Sequence, residues 1–203
     1  MRPKVIFIRH AQWNYKEDEI LPEEWERAIS VAERLHEEFN FGIYSDVAPT
    51  KRARQTALAL GAPAVTEFRE LEEFPTEKES KWRKKVLAIQ RQEKRDLVEI
   101  VFSFDELREM LRKRCLSLCI DLYSGTEKKD KLMVSHGATM TGLYLASEEL
   151  LERFEGDKEI KCWTPDAYKG HRFESLDALV LEIGAGYLVA QSVRKRDGTR
   201  IDL

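Results

Sequence analysis

Short apolar runs, separated by longer amphipathic stretches, dominate the pattern of this chain. Residues 5–8 (Val-Ile-Phe-Ile) form an unbroken apolar run that is typical of a strand buried on both faces. Residues 131–135 have the same character. Further short strands are predicted at residues 41–44, 64–66, 178–183 and 187–193, the last two joined as a hairpin by the turn at 184–186.

Between these runs, apolar residues recur at three- and four-residue spacing, which predicts helices. The predicted helices cover residues 22–39, 49–60, 104–122 and 137–154. Pro22 opens the first helix. Ser103 is predicted to cap the third, because Glu106 follows three residues later, and Gly125 to end it. Residues 75–100 are charged and mostly helical in pattern.

The alternation of strands with helices predicts an α/β fold, a three-layer α/β/α sandwich with a mainly parallel central sheet. A chain of 203 residues fits a single domain, so we expect one domain over residues 1–203. The helical stretch at about 75–102 is expected to be an insertion in that domain.

The charge balance excludes several classes of partner. A net charge of −3 gives no overall attraction to nucleic acid or to an anionic membrane.

The apolar run at 5–8 is too short for a signal-peptide core or a membrane span, so we expect a cytoplasmic protein. Three cysteines without a CxxC pair predict neither a disulfide framework nor a zinc site, and no metal or cofactor is expected.

Two histidines follow predicted strands, and this placement predicts a site. His10 comes directly after the first strand and His136 after the strand at 131–135. Ligands of open α/β sheets bind beyond the carboxyl ends of the strands, so both imidazoles could face one crevice. Arg9, Arg52 and Arg54 add positive charge. This combination suits phosphate, and a neutral histidine can accept a phosphoryl group as nucleophile. The residue types alone do not say which histidine reacts.

Three segments, in this order, resemble the motifs of the histidine phosphatase superfamily, also called the phosphoglycerate mutase-like family. Ile8-Arg-His-Ala-Gln12 is similar to its Arg-His-Gly-Glu motif, residues 49–57 to its second motif, and Val134-Ser-His-Gly137 to its third. The family glycine after the first histidine is Ala11 here.

The resemblance implies a phosphoglycerate mutase-like fold and a metal-independent phosphomonoesterase, a histidine acid-type phosphatase. It implies His10 as the nucleophile, with Arg9, Arg52 and His136 holding the phosphoryl oxygens. The backbone amide of Gly137 is expected to add to this anion site. The following Trp13-Asn14 is a shortened form of the family sequence, which makes Asn14 a further candidate for phosphate contact.

The family also uses a glutamate as general acid, normally in a Leu-x-Glu sequence after the second motif. Glu73 fits that spacing. Glu70 and Glu72 remain alternatives, because Phe74-Pro75 replaces the glycine that usually follows soon after the acid.

The insertion at about 75–102 lies where this family carries a variable substrate-covering segment. Its basic residues, with Lys84 and Lys85 among them, form either a solvated helix face or a lid for an acidic or multiply phosphorylated substrate. The basic loop at 169–172, which includes His171, could also reach an anion.

Several functional alternatives stay open at this stage. The substrate is expected to be a small phosphorylated metabolite or a phosphoprotein, whether a sugar phosphate, phosphoglycerate, a nucleotide-derived ester or protein phosphohistidine. A mutase-type phosphoryl transfer and a non-catalytic phospholigand-binding module are the alternatives to a phosphatase. A homodimer is one of the possible assemblies.

Overall fold

The apolar run at 5–8 forms the middle of a sheet, as its composition predicts. In the computed structural model, which describes residues 3–14, 16–124, 129–155, 163–170, 172–183 and 188–202, nine strands are found. They are β1 (Lys4–Arg9), β2 (Trp13–Asn14), β3 (Glu19–Ile20), β4 (Tyr44–Val47), β5 (Ala64–Glu67), β6 (Lys131–Ser135), β7 (Ala178–Ile183), β8 (Leu188–Arg194) and β9 (Arg200–Asp202).

The helices occupy the connections between the strands. In chain order they are α1 (Pro22–Glu38), α2 (Lys51–Ala59), α3 (Glu77–Glu93), α4 (Leu97–Ser103), α5 (Asp105–Ser124) and α6 (Gly137–Glu155). Two short 3-10 helices lie at Arg69–Leu71 and Ala167–Gly170.

Within the described residues, seven of the strands make one sheet in the order β5-β4-β6-β1-β7-β8-β9. The neighbours β5, β4, β6 and β1 are all parallel, and β7, β8 and β9 continue the sheet antiparallel. Ile6, Phe7 and Ile8 are fully buried in β1, between β6 and β7. Burying each such side chain contributes about 1.5–3 kcal/mol.

The connections place helices on both faces of the sheet. From β1 through α1 to β4, and from β4 through α2 to β5, the chain moves in one direction across the sheet. The segment containing α5 joins β5 to the parallel strand β6 in the other direction, so the right-handed crossover rule puts it on the opposite face. Helix α6 packs against α5 on that face. The three-layer α/β/α sandwich with a mostly parallel sheet is therefore confirmed.

Some predicted boundaries are wrong. The strand expected at 41–44 begins instead at Tyr44, because Gly42 adopts a left-handed φ of 65° and makes a turn before it. The helix expected from Pro49 begins at Lys51, because Thr50 caps it by accepting a hydrogen bond from the Ala53 amide.

The predicted cap at Ser103 is also wrong. Ser103 is the last residue of α4, and its hydroxyl donates to the Ile100 carbonyl at 2.7 Å, so it is engaged with the preceding turn. Helix α5 starts two residues later. Strands β7 and β8 do pair antiparallel, as the hairpin prediction requires. The predicted turn at 184–186, the predicted helix end at Gly125 and the position of His171 lie outside the described residues.

No helix within the described part of the chain is long and apolar enough to cross a membrane.

Candidate active site

The register of the parallel strands brings the two histidines together. Arg9 at the end of β1 lies beside Ser135 at the end of β6, so His10 and His136 are neighbours one residue further on. The His10 amide donates to the Ser135 carbonyl at 2.9 Å. The two imidazole centroids are 4.9 Å apart and both rings are buried.

Arg52 joins the two imidazoles. It stands in the first turn of α2, which follows β4, the other neighbour of β6. Its Nε donates to His10 Nε2 and its Nη2 to His136 Nδ1, both at 3.2 Å. Its Nη1 pairs with the carboxylate of Asp18, and the ring of Trp13 stacks on the guanidinium at 4.0 Å. A single guanidinium therefore contacts both imidazoles.

Hydrogen bonding and burial determine the protonation state of His10. Its Nδ1 donates to the Ala11 carbonyl at 2.7 Å, which leaves the lone pair on Nε2, facing Arg52. Burial, and then the charges of Arg52 and Arg9, lower the pKa of His10 from 6.5 to about 3, although the Ala11 carbonyl opposes this shift. The imidazole is thus neutral at physiological pH.

His136 is also held neutral but presents a proton. Burial, followed by the nearby His10, Arg52, Arg9 and Arg114, keeps the pKa of His136 well below 6.5. Because Nδ1 accepts from Arg52, the proton is on Nε2. The carbonyl of His136 accepts from Met140 in the first turn of α6, which places this histidine at a helix N-terminus, where anions bind favourably.

Arg9 and Gly137 are closely packed. Nη1 of Arg9 donates to the Phe173 carbonyl, while its Nε is buried without a hydrogen-bond partner among the described residues. A Cβ at Gly137 would lie 3.3 Å from the Arg9 guanidinium carbon and 3.5 Å from Val98. A glycine at the start of α6 therefore lets that helix approach the arginine.

Among the three candidate acids, Glu73 is the one whose side-chain carboxylate contacts the start of α6. Its Oε1 lies 3.4 Å from the Ala138 amide nitrogen and accepts its hydrogen bond. Burial raises the pKa of Glu73, against the lowering effects of this amide and of Arg52, Arg9 and Arg114. Burial also raises the pKa of the half-buried Glu72, and Glu70 is exposed. Glu73 is thus the candidate whose carboxylate contacts the start of α6, and its role as general acid stays a prediction.

The side chain of Asn14 contacts its own hairpin. Its Oδ1 accepts from the Lys16 amide at 2.9 Å, and its Nδ2 lies 3.4 Å from a Glu17 carboxylate oxygen. The ring of the adjacent Trp13, by contrast, stacks on the Arg52 guanidinium. The role assigned to Asn14 stays a prediction.

Two residues that support the site, Asp18 and Thr56, are not among the site residues predicted from the sequence, although Thr56 lies within the second motif. Asp18 has a left-handed φ of 54° and accepts from the Lys51 amide at 2.9 Å as well as pairing with Arg52. Thr56, one turn after Arg52, accepts from the Ala11 amide at 3.1 Å. The spacing of Thr56 from Arg52 was a usable signal, whereas the contact of Asp18 depends on how the β2–β3 hairpin folds back.

Within the residues that the structure describes, no group of three or more His, Cys, Asp or Glu side chains could hold a metal ion.

The sequence matches the histidine phosphatase superfamily (branch 1) over residues 5–156. No curated protein matches the chain. Among solved structures, a mutant phosphoserine phosphatase from Entamoeba histolytica in complex with phosphoserine is similar, with a TM-score of 0.60 and 21% identity, over 92% of this chain and 94% of that one.

Two further solved structures share the fold. A mycobacterial glucosyl-3-phosphoglycerate phosphatase has a TM-score of 0.59 and 16% identity, over 90% of this chain and 93% of its own. A putative phosphohistidine phosphatase, SixA, from Nakamurella multipartitia has a TM-score of 0.53 and 16% identity, over 94% and 95%. At these identities the likeness concerns the fold.

Proposed function

The chain belongs to branch 1 of the histidine phosphatase superfamily, and from this premise we propose that it is a phosphatase that hydrolyses phosphomonoesters through a phosphohistidine at His10. One observation carries the proposal. The lone pair of a neutral, buried His10 Nε2 faces the Arg52 guanidinium, next to His136 and within one site with Glu73.

In the first step, His10 Nε2 attacks phosphorus, and a nitrogen–phosphorus bond forms as the ester bond from phosphorus to oxygen breaks. The leaving oxygen takes the proton of the Glu73 carboxyl, so the alcohol departs uncharged. Arg52 turns its donors from the two imidazoles to the phosphoryl oxygens, and Arg9 and the His136 Nε2 proton complete their charge stabilisation.

In the second step, water attacks the phosphorus of phosphohistidine. Glu73, now a carboxylate, accepts the proton of the water as the nitrogen–phosphorus bond breaks and inorganic phosphate leaves. His10 returns to its neutral state with the lone pair on Nε2. Side chains of the protein supply all the charges that this cycle uses, so the proposed reaction is metal-independent.

The proposed substrate class is a small phosphorylated metabolite or a phosphoprotein. Three proteins that share the fold are named as phosphatases of phosphoserine, glucosyl-3-phosphoglycerate and phosphohistidine, which supports a phosphatase without selecting between the two kinds of substrate. In the proposed reaction the residues of the site act only on the phosphoryl group and its leaving oxygen, so the mechanism is compatible with either kind of substrate.

The proposal is tested by the turnover of p-nitrophenyl phosphate in the presence of EDTA. We expect turnover to persist in EDTA and to be lost in His10→Ala. The matched control is His36→Ala, because His36 lies on α1 and contacts the Leu60 carbonyl and the Phe41 ring, away from the site.

Four results would contradict the proposal. Turnover that needs a metal ion, or that survives in His10→Ala, excludes the phosphohistidine route. Binding of phosphate esters without any turnover would instead identify a phospholigand-binding module. Return of the phosphoryl group from His10 to a second substrate hydroxyl, faster than its release to water, would identify a mutase.

A further inference from the structure

We infer that Arg114, on α5, is a positioning residue for the general acid, because it holds the loop that carries Glu73 and joins that loop to the start of α3. This inference rests on the proposed function, since it concerns the proton that Glu73 delivers.

Arg114 donates to the carbonyl groups of the two peptides that flank Glu73. Its Nη1 donates to the Glu72 carbonyl and its Nη2 to the Glu73 carbonyl at 3.4 Å. The side chain is only 9% exposed, so water does not compete strongly for these carbonyls. The direction in which the Glu73 side chain leaves the backbone is therefore determined by a side chain from a distant helix.

The same loop is held from the sheet side. Ser135 donates through its hydroxyl to the Leu71 carbonyl at 2.7 Å, and Thr139 donates to the Glu72 carbonyl at 3.0 Å. These two hydroxyls flank His136, the partner of the nucleophile. With Arg114 they form a frame around the acid loop that is anchored on β6, α6 and α5.

Arg114 also faces a buried acid of the helical insertion. Its Nε is buried without a hydrogen-bond partner among the described residues, and Oε1 of Glu79 lies 3.7 Å away. Oε2 of Glu79 accepts from the amide and the hydroxyl of Thr76, at 3.1 and 2.7 Å, in the capping box that begins α3. Arg114 thus contacts both the start of α3 and the loop that carries Glu73.

The charge of Arg114 also lowers the pKa of Glu73. Glu73 faces the guanidiniums of Arg52, Arg9 and Arg114 and the amide of Ala138, and each of them lowers its pKa against the larger effect of burial. The neutral His136 lies in the same site. Removing Arg114 takes away one of these charges, so the pKa of Glu73 rises further.

Leaving-group dependence separates a role in positioning the acid from a merely structural one. An alkyl phosphate such as 2-glycerophosphate needs a proton on its leaving oxygen, whereas p-nitrophenolate leaves without one. The kcat/KM value reports the transfer to His10 and not the later hydrolysis. We therefore expect Arg114→Met to lower the alkyl-to-aryl ratio of kcat/KM by ~30-fold, within the range for a displaced acid catalyst.

The alkaline limb of the pH profile for the alkyl substrate should move in parallel. A higher pKa keeps Glu73 protonated to a higher pH, so this limb moves up in Arg114→Met. Arg114→Lys keeps the charge and a donor, and we expect it to lower the ratio by only ~5-fold.

Arg108 offers a matched control on the same helix. Its side chain is 14% exposed and donates to the Phe102 carbonyl and the Asp105 carboxylate, outside the site. Arg108→Met should leave the alkyl-to-aryl ratio unchanged. The ratio is measured on a single sample with both substrates, so it does not depend on the fraction of protein that is folded.

Equal losses on both substrates, or no change in the ratio for Arg114→Lys where Arg114→Met fails to fold, would overturn the inference. Glu73→Gln separates this failure from that of the proposed function. If Glu73→Gln lowers the ratio and the Arg114 variants do not, only the inference about Arg114 is wrong. If Glu73→Gln leaves the ratio unchanged, the assignment of the acid itself is wrong.

Discussion

Two cationic regions of this protein use the same kinds of side chain in different surroundings. In the site, Arg52 is 14% exposed and bonded to both imidazoles and to Asp18. On α3, Lys81 is 76% exposed and pairs at 3.6 Å with Glu77, which is 91% exposed. An exposed pair of this kind contributes ~0–1 kcal/mol.

The difference shows what each region can encode. The strand register of the core brings His10, His136 and Arg52 to one point, so the handling of phosphate is built into the fold. The cations of α3 are attached to a helix surface and can change without disturbing the core. We therefore expect the site to determine the reaction and the cations of α3 to influence the choice of substrate.

The largest effect is expected when two arginines of α2 are each replaced by alanine and the two variants are compared. Arg52→Ala removes the cation that spans the site, and kcat/KM should fall by ~1000-fold, as for other residues that stabilise phosphoryl-transfer charge. Arg54→Ala removes a half-exposed ion pair with Glu67, and kcat/KM should stay within about twofold. Comparable losses in steady-state assays of the two variants would contradict the account.

The second prediction concerns pH. Because the pKa of His10 is lowered to about 3, His10 is neutral above that pH, and the rate falls only under strongly acidic conditions. Because the pKa of Glu73 is raised, its carboxyl stays protonated to a higher pH than an ordinary glutamate, and kcat/KM for an alkyl phosphate falls as the pH passes that value. Glu73→Gln should lower kcat/KM ~100-fold and abolish this alkaline limb.

The other candidate acids serve as controls for that variant. Glu70→Gln alters an exposed side chain and should keep both the rate and the alkaline limb. If Glu72→Gln, rather than Glu73→Gln, abolishes the limb, the proton carrier is the neighbouring residue.

A smaller effect is expected at the edge of the site. Asp18 holds Nη1 of Arg52 and accepts from the Lys51 amide, so Asp18→Ala should loosen the guanidinium and raise KM ~10-fold. Glu19→Ala, which removes an ion pair of the same hairpin with Lys51, is the control and should leave KM unchanged. Tighter binding of phosphate by Asp18→Ala would show that Asp18 competes with the ligand instead of positioning Arg52.

The smallest effect on KM is expected for two lysines of α3. Lys84 is exposed, and the ammonium of Lys85 lies 4.4 Å from the Trp82 ring centroid and 4.6 Å from that of Phe104. Replacing both lysines by glutamine should raise KM ~3-fold for a substrate with a second anionic group and leave p-nitrophenyl phosphate unaffected. Equal changes for the two substrates would indicate damage to the fold and no role as a lid.

Local patterns predicted the parts of the structure that depend on nearby residues. The buried runs gave β1 and β6, and their ends located His10 and His136. The strand predicted at 41–44 failed because a single glycine makes a turn, and the cap at Ser103 failed because the hydroxyl found a partner in its own helix.

Side-chain contacts made from outside the motifs could not be predicted from the sequence. Asp18 reaches Arg52 only because the β2–β3 hairpin folds against α2. Arg114 reaches the acid loop from α5, a helix that contains none of the three motifs. Such side chains have no periodicity or spacing that distinguishes them from the many other charged residues of this chain.

The central claim is that the phosphoryl group is transferred to His10, and it can be tested by locating that group. The protein would be mixed with p-nitrophenyl phosphate, quenched in alkali, in which phosphohistidine survives, digested, and analysed by mass spectrometry. The account predicts a phosphoryl group on the peptide containing His10, and none in His10→Ala. A phosphoryl group on His136, or sustained turnover with no phosphorylated histidine, would contradict it.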